Sequence, residues 1–422
     1  MKIDLVKKML VEGEFDYRLV DLYNDENQAT VQKERYIKAV DRFSTLFNDT
    51  DITIFSTPGR TEVCGNHTDH QKGRVIAAAV NLDMIAVASP ADDVKVYSDG
   101  YDIETITLGD FERREEETGS SISLIRGILA GFEKEGYTTG GFHAYITSDI
   151  LEGSGLSSSA AFEVMIGTII SGLYHDTLID PVENAKIGQY SENNYYGKPC
   201  GLMDQCACAI GGMIFIDFNR GPRINQIDVD FDRFGRSLCI IDAHATHSDL
   251  TEDYACIPED MRKVARFFGR AALADVDEED FYESFKELRQ RVGDRPVLRA
   301  YHFFTENKRV NDAAFALRYN DYVTFREIIS ESGDSSFKFL QNIYSEHDVD
   351  HQAIALALAM AESVLRNHGV CRVHGGGFAG TIQAFVDDDF VERFKQKMDN
   401  YFGEGSCRVL KIRNQGAGKV IG

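Results

Sequence analysis

The sequence predicts an α+β layer fold in two lobes with a cleft between them, and three observations carry that expectation. Its 422 residues exceed what one hydrophobic core holds, since single cores stop growing near ~250–300 residues. Short β-type runs alternate with helical stretches but lack the regular βαβ repeat of a doubly wound sheet, which favours mixed layers. A polar, turn-rich stretch at 219–236, NRGPRINQIDVDFDRFGR, marks the expected border between a first lobe at 1–225 and a second at 226–422.

Residues 1–50 place Leu, Val and Phe at three-to-four spacing among charges, the pattern of a helical outer layer, and end in the turn FNDTD. From 52 to about 98, ITIFS, RVIAAAV, MIAVASP and VKVYS are strand-like runs separated by Gly, Pro, Asp and Asn. A helix near 121–135, a strand FHAYIT and the turn EGSGLSSS follow, and the turn feeds AAFEVMIGTIISGLYH, apolar and long enough for a buried helix. A polar helix near 181–196 then leads to GLMDQCACAIGG and the strand MIFIDF. Past the border come the strand SLCIID, helices to about 367, the strand GVCRVH, a glycine turn, the strand TIQAFV, a helix at 388–402 and a strand CRVLKI. This tail has the order of a split β-α-β sheet, and its final strand is free to stay there or to cross back to the first lobe.

Composition narrows the function classes. With 45 basic and 68 acidic residues the formal charge is −23, which argues against broad binding to nucleic acid or to an anionic membrane face. An anionic ligand therefore needs a locally positive site, so arginine and lysine near glycine-rich turns carry weight. The eight cysteines form no CxxC pair and no zinc-type spacing with histidine, and read as reduced thiols of a cytoplasmic protein. Charges within the apolar positions of MKIDLVKKMLVEGEFDY argue against a signal peptide, and no run approaches the ~18–20 apolar residues of a membrane span. The expected partners are small molecules, and the expected state is a monomer or weak homo-oligomer.

Four motifs stand out. EGSGLSSSAA, 152–161, combines glycines that free the backbone with serines that cap a helix, so several N–H groups and the positive helix end point at one spot, an anion site. The cofactor-binding candidates are Gly153, Ser154, Gly155, Leu156, Ser157, Ser158 and Ser159; no lysine follows in the GxxxxGK[ST] pattern, so this is not the familiar P-loop. HGGGFAG contains GxGxxG at Gly375, Gly377 and Gly380, but a strand follows it, so the dinucleotide context fails and a tight hairpin that approaches a loop or ligand is expected. In GLMDQ, Asp204 sits among small and apolar residues, where an aspartate serves either as a helix cap or as a general base. TPGRTEVCGNHTDHQKG, 57–73, gathers an unusual density of hydrogen-bonding groups in one connection.

TPGR with GNHTDHQKG, then GSGLSSSAA, GLMDQ and RVHGGGFAG, in that order from about residue 51 onward, resemble the galactokinase branch of the GHMP small-molecule kinases. The resemblance implies a first lobe with a five-stranded mixed sheet, a ferredoxin-like second lobe, ATP and Mg²⁺, and phosphoryl transfer to the anomeric hydroxyl of a hexose. Carried over by motif, Arg60 and Asp204 fall on the catalytic pair, and Ser159 and Glu192 on the magnesium ligands. Asn66, His67, Asp69, Gly201 and Tyr254 fall on sugar-contacting positions. His67 equally suits a satisfied loop histidine, and Tyr254 a core-edge aromatic. Asp204 is left as either a base or an orienting acceptor. One departure stands out: galactokinases have Glu-His-Thr-Asp where this chain has NHTD, so an amide is expected to face the sugar's C6, and galacturonate becomes the alternative to galactose. A catalytically silent sugar sensor is the other alternative, and the intact GLSSSAA argues for the enzyme.

Overall fold

Two sheets organise the chain in the computed structural model, which describes residues 1–422 apart from 103–104, 151–155, 230, 232, 245–249 and 379. The strands of the first are β1 (Thr53–Cys64), β2 (Arg74–Ala91), β3 (Val94–Ser98), β4 (Tyr101–Asp102), β5 (Gly141–Ser148), β6 (Met213–Asp217) and β7 (Arg223–Ile227). Those of the second are β8 (Arg236–Asp242), β9 (Gly369–Val373), β10 (Thr381–Asp387) and β11 (Cys407–Leu410), after which β12 (Gly418–Ile421) returns to the first sheet.

The first sheet is mixed, as expected, but eight-stranded where five were expected. Its order is β12–β1–β2–β5–β3–β4, with β6 on β2 and β7 on β6. The larger count comes from β2, whose residues Arg74–Ala78 pair with β6 while Met84–Ala91 pair with β5. RVIAAAV and MIAVASP thus belong to one strand and not two. The polar residues between them are satisfied from afar: Asn81 and Lys411 exchange two 3.0 Å bonds, and the buried Asp83 meets Arg35 at 2.5 Å and Arg413 at 3.1 Å. Part of the expected border at 219–236 is also strand, β7, so the chain crosses to the second sheet between Ile227 and Arg236.

Both faces of the first sheet are covered, and strand alternation shows how. Ile54, Ile85 and Val87 face the N-terminal helices Ile3–Glu12, Asp16–Tyr23 and Glu26–Leu46, packing on Val6, Leu10, Tyr36, Val40 and Phe43. Phe55, Ala86 and Ala88 face the other way, onto the helices Ser121–Lys134, Ser158–Tyr174, Pro181–Ser191 and Met203–Ile210. The small side chains of AAAV in β2 let the apolar helix Ser158–Tyr174, buried from Ala160 to Ser171, lie close against the sheet.

The second sheet is antiparallel with order β11–β8–β10–β9. In chain order that is 4-1-3-2 with helices after the first and third strands, the ferredoxin-like arrangement expected. CRVLKI stays in this sheet as β11; it is a further strand the sequence reading did not mark, β12, that crosses back, pairing antiparallel with β1 through Ile54–Ile421 and Phe55–Lys419.

Between the lobes runs a band of fully buried polar contacts. Arg372 on β9 reaches Glu62 on β1 at 2.9 Å and the Val63 carbonyl at 3.0 Å, Gln383 on β10 donates to the Glu62 carbonyl at 2.6 Å, and His374 meets Thr61 at 3.0 Å. β1 is therefore shared: one edge and both faces belong to the first lobe, and its end is clamped by the second.

Candidate active site

Arg60 and Asp204 form the centre. Arg60 projects from β1, and its Nε and Nη2 donate to the two carboxylate oxygens of Asp204 at 2.7 and 2.6 Å, a two-pronged pair. Asp204 stands in the first turn of the helix Met203–Ile210 and also accepts the hydroxyl of Ser157. Burial alone would raise its pKa, but the charge and hydrogen bonds of Arg60, with the Ser157 hydroxyl, outweigh it and hold the carboxyl below the usual range. Asp204 is therefore ionised at neutral pH.

The serine-rich turn meets this pair. Leu156 is buried and its carbonyl accepts the Arg60 N–H at 3.1 Å, Ser157 takes the left-handed conformation at φ 57°, and the helix starts at Ser158. Ser158 and Ser159 thus lie at the N-terminal end of a seventeen-residue helix, where unpaired N–H groups and the helix dipole favour an anion. Gly153, Ser154 and Gly155 lie outside the described residues.

Next to the pair is a carboxylate–amide cluster. Glu192, in the wide turn that ends the helix from Pro181, is buried, and so is Glu163, one helical turn beyond Ser159 on the same side. The amide of Gln205, adjacent to Asp204, bridges them: Nε2 donates to Glu163 Oε2 at 2.9 Å and to Glu192 Oε2 at 3.1 Å. Burial, and then the neighbouring Glu192, push the Glu163 carboxyl well up. Glu163 Oε1 and Gln205 Oε1 are buried without a partner. The orphaned oxygens of Glu163 and Gln205, beside the Glu192 carboxylate, are hard donors of the kind a magnesium ion takes, so the residues present fit that ion.

The 57–73 connection behaves differently from residue to residue. Asn66 is enclosed by protein groups. Its side chain has no exposure, and Nδ2 donates to both oxygens of Glu62 at 3.0 and 3.1 Å and to the Gly375 carbonyl at 2.6 Å, while Oδ1 accepts from Asn342 at 2.8 Å. Every polar atom of it is spent inside the protein. His67, at φ 59°, has Nε2 2.9 Å from the Gly376 carbonyl, and burial, then His70, lower its pKa to about 3. It is a neutral imidazole donating through Nε2.

Asp69 and Gly201 come together: a Cβ on Gly201 would lie 1.7 Å from Asp69 Oδ2, so only glycine admits that carboxylate, whose Oδ1 accepts the His70 N–H at 2.9 Å. Tyr254 arrives from the second lobe, its hydroxyl on the Gly377 carbonyl at 2.9 Å and its ring edge-on to Phe378 at 5.5 Å. A Cβ on Gly376 would meet that ring at 2.4 Å. The glycine turn is thus the hairpin expected: its three successive carbonyls, 375, 376 and 377, accept from Asn66, His67 and Tyr254 and bring both lobes to one place.

Sequence reasoning missed Glu163, Gln205 and Glu62. The first had a readable signal, a carboxylate inside the otherwise apolar AAFEVMIG.

A helix entered from a serine-rich turn beside an arginine–aspartate pair, closed by a ferredoxin-like lobe, is the arrangement of GHMP small-molecule kinases. Residues 123–212 match the model of the GHMP kinases N terminal domain, and 41–90 match the galactokinase galactose-binding signature. A galactokinase of Actinobacillus pleuropneumoniae serotype 5b is 33% identical over 371 residues, 86% of this chain and 93% of the relative. Another from the same species is 34% identical over 357 residues, 83% of this chain and 89% of the relative. The chain belongs to the galactokinase family. The crystal structure of Lactococcus lactis galactokinase complexed with galactose superposes with TM-score 0.77 at 23% identity, covering 90% of this chain and 98% of that one. Methanococcus jannaschii mevalonate kinase superposes with TM-score 0.61 at 16% identity, covering 86% and 99%. These two likenesses speak to the fold alone.

Proposed function

We propose that the chain is an ATP-dependent sugar 1-kinase that transfers the γ-phosphoryl group of ATP to the anomeric hydroxyl of D-galactose. The observation that carries the reading is the Arg60–Asp204 pair joined to Ser157, because it sets an ionised acceptor and a fixed guanidinium at the end of the phosphate turn. In this reading Ser159 and Glu192 hold Mg²⁺, with Glu163 beside them, and the ion neutralises charge on the phosphate oxygens. The helix N-terminus at Ser158 binds the phosphates.

Asp204 accepts a hydrogen bond from the anomeric hydroxyl and aims its oxygen. A carboxylate whose pKa is depressed is a poor proton acceptor, so Asp204 orients the hydroxyl first and takes the proton only as the new bond makes that oxygen acidic. This suits a loose phosphoryl transition state, in which positioning and neutralisation contribute more than proton abstraction. Arg60 holds Asp204 in place and puts its positive charge next to the transferred group. Asp69, His67 and Tyr254 supply hydrogen-bonding groups to the sugar, with Gly201 giving Asp69 its room.

Galactose stands ahead of galacturonate because the argument for galacturonate needed Asn66 at C6, and Asn66 is enclosed. The match of 41–90 to the galactose-binding signature supports the same choice. ADP release with MgATP and galactose, galacturonate, glucose or N-acetylgalactosamine tests the reading. The highest kcat/KM is expected for galactose, and turnover of none of the four would reject it.

A further inference from the structure

Glu192, the carboxylate expected to hold the metal, is gripped from two sides. Gln205 donates to its Oε2, and Lys198 Nζ lies 3.4 Å from its Oε1. The lysine is brought there by the backbone: the N–H groups of Gly197 and Lys198 both donate to the Glu192 carbonyl, at 3.0 and 3.2 Å, and Gly197 at φ 87° turns the chain back. The two partners differ in access. The Glu192 side chain is 4% exposed and that of Lys198 62%, so the ammonium comes to the carboxylate from the open side. Lys198 is thus an exposed cation set against the carboxylate expected to hold the metal.

That position is unstable toward ligand. An oxygen that neutralises an ammonium cannot at full strength also serve a divalent ion, and the doubly charged hard cation takes it. The displaced ammonium sits on a flexible four-carbon stem and needs a new anion nearby. In a chain of charge −23, phosphate oxygens at the adjacent helix N-terminus are the anion the site itself gathers. We infer that Lys198 is a phosphate-binding residue of the nucleotide site, parked on Glu192 until a metal–nucleotide complex displaces it onto the phosphates. The inference rests on the kinase reading of the site, though not on which sugar is the substrate.

Lys198→Met keeps the stem and removes the charge. Calorimetry on the full chain with the non-hydrolysable analogue AMPPNP, once in Mg²⁺ and once in EDTA, separates the roles. Affinity for MgAMPPNP is expected to fall about ten-fold or more, the scale of one charge-assisted hydrogen bond, while the metal-free affinity changes less than about two-fold. Equal losses in both conditions, a larger loss in EDTA, or no loss would overturn the proposal, since a general electrostatic or packing role does not distinguish them. Lys198→Gln should reproduce the split, and near-native melting temperatures in both variants would confirm that folding is not the cause. Nucleotide that binds with the expected split beside absent turnover of every sugar would reject the sugar-kinase reading and leave Lys198 standing; a wild-type chain that binds no AMPPNP would reject both.

Discussion

Asp204 keeps its charge because Arg60 keeps its place, and each loses its role without the other. Asp204→Asn preserves the shape and one acceptor oxygen but removes the charge, so kcat should fall by ~10²-fold or more while nucleotide affinity, read by calorimetry, stays near native. Asn66 leads to a second prediction. A glutamate there would lose the donor that Glu62 and the Gly375 carbonyl require and would bury a second carboxylate 3 Å or so from the first, at a cost of ~3–5 kcal/mol. Urea unfolding should show that loss for Asn66→Glu, with the galactose-to-galacturonate ratio of kcat/KM unchanged. His67 adds a pH dependence. Its folded pKa of about 3 lies far below the ~6.5 of an unfolded histidine, so the unfolded chain binds the extra proton first, and stability falls as pH drops from ~6.5 toward 3 by ~1.4 kcal/mol per unit. Replacing His67 with Gln should flatten the pH slope of the unfolding free energy by one proton's worth in that window. Arg60 and Asp204 each stand in a short local motif, and the structure brings the two motifs together. The enclosure of Asn66 was not legible in the sequence, because its partners Glu62, Asn342 and Gly375 come from three separate stretches of chain, and only their convergence shows that the amide points inward.

Elements were legible where one local property decides them. The apolar run after GLSSS had to be a buried helix, and Ser158–Tyr174 is one; VERFKQKMDNYF had the helical period, and Val391–Phe402 is helical. β2 was not legible, because Asn81 and Asp83 look like a break unless Lys411, Arg413 and Arg35 are known to satisfy them. Arg35 also says what the outer helices are for. From the helix Glu26–Leu46 its guanidinium reaches Asp83 at 2.5 Å and Asp149 at 3.0 Å, and Asp149, whose N–H bonds the Asp83 carbonyl at 2.9 Å, closely precedes the serine-rich turn. The N-terminal layer thus braces the chain just ahead of the serine-rich segment. Arg35→Met should lower the unfolding free energy by ~3 kcal/mol, as expected for stripping one partner from a buried carboxylate, and raise KM for ATP more than it changes kcat. Equal ATP kinetics in the two proteins would confine Arg35 to stability.

Across the whole molecule, length and the alternation of runs were enough to read two lobes, and the order of β8 to β11 with their helices was enough to read the split β-α-β sheet. What joins the lobes was beyond reach, since the polar band of Glu62, Arg372, Gln383 and His374 has no local period. Nor could the eventual place of GKVI be read from its four residues. Its pairing with β1 has a kinetic consequence. During synthesis from the N-terminus, β1 emerges early and one of its edges stays open until nearly all the rest of the chain has been made. Closing that gap is a contact of very high sequence separation, slow by its loop entropy, and an open β edge is a template for joining another chain. Until Ile421 reaches Ile54, that edge of β1 lacks its partner strand, and the same backbone groups that bind β12 invite pairing with another chain.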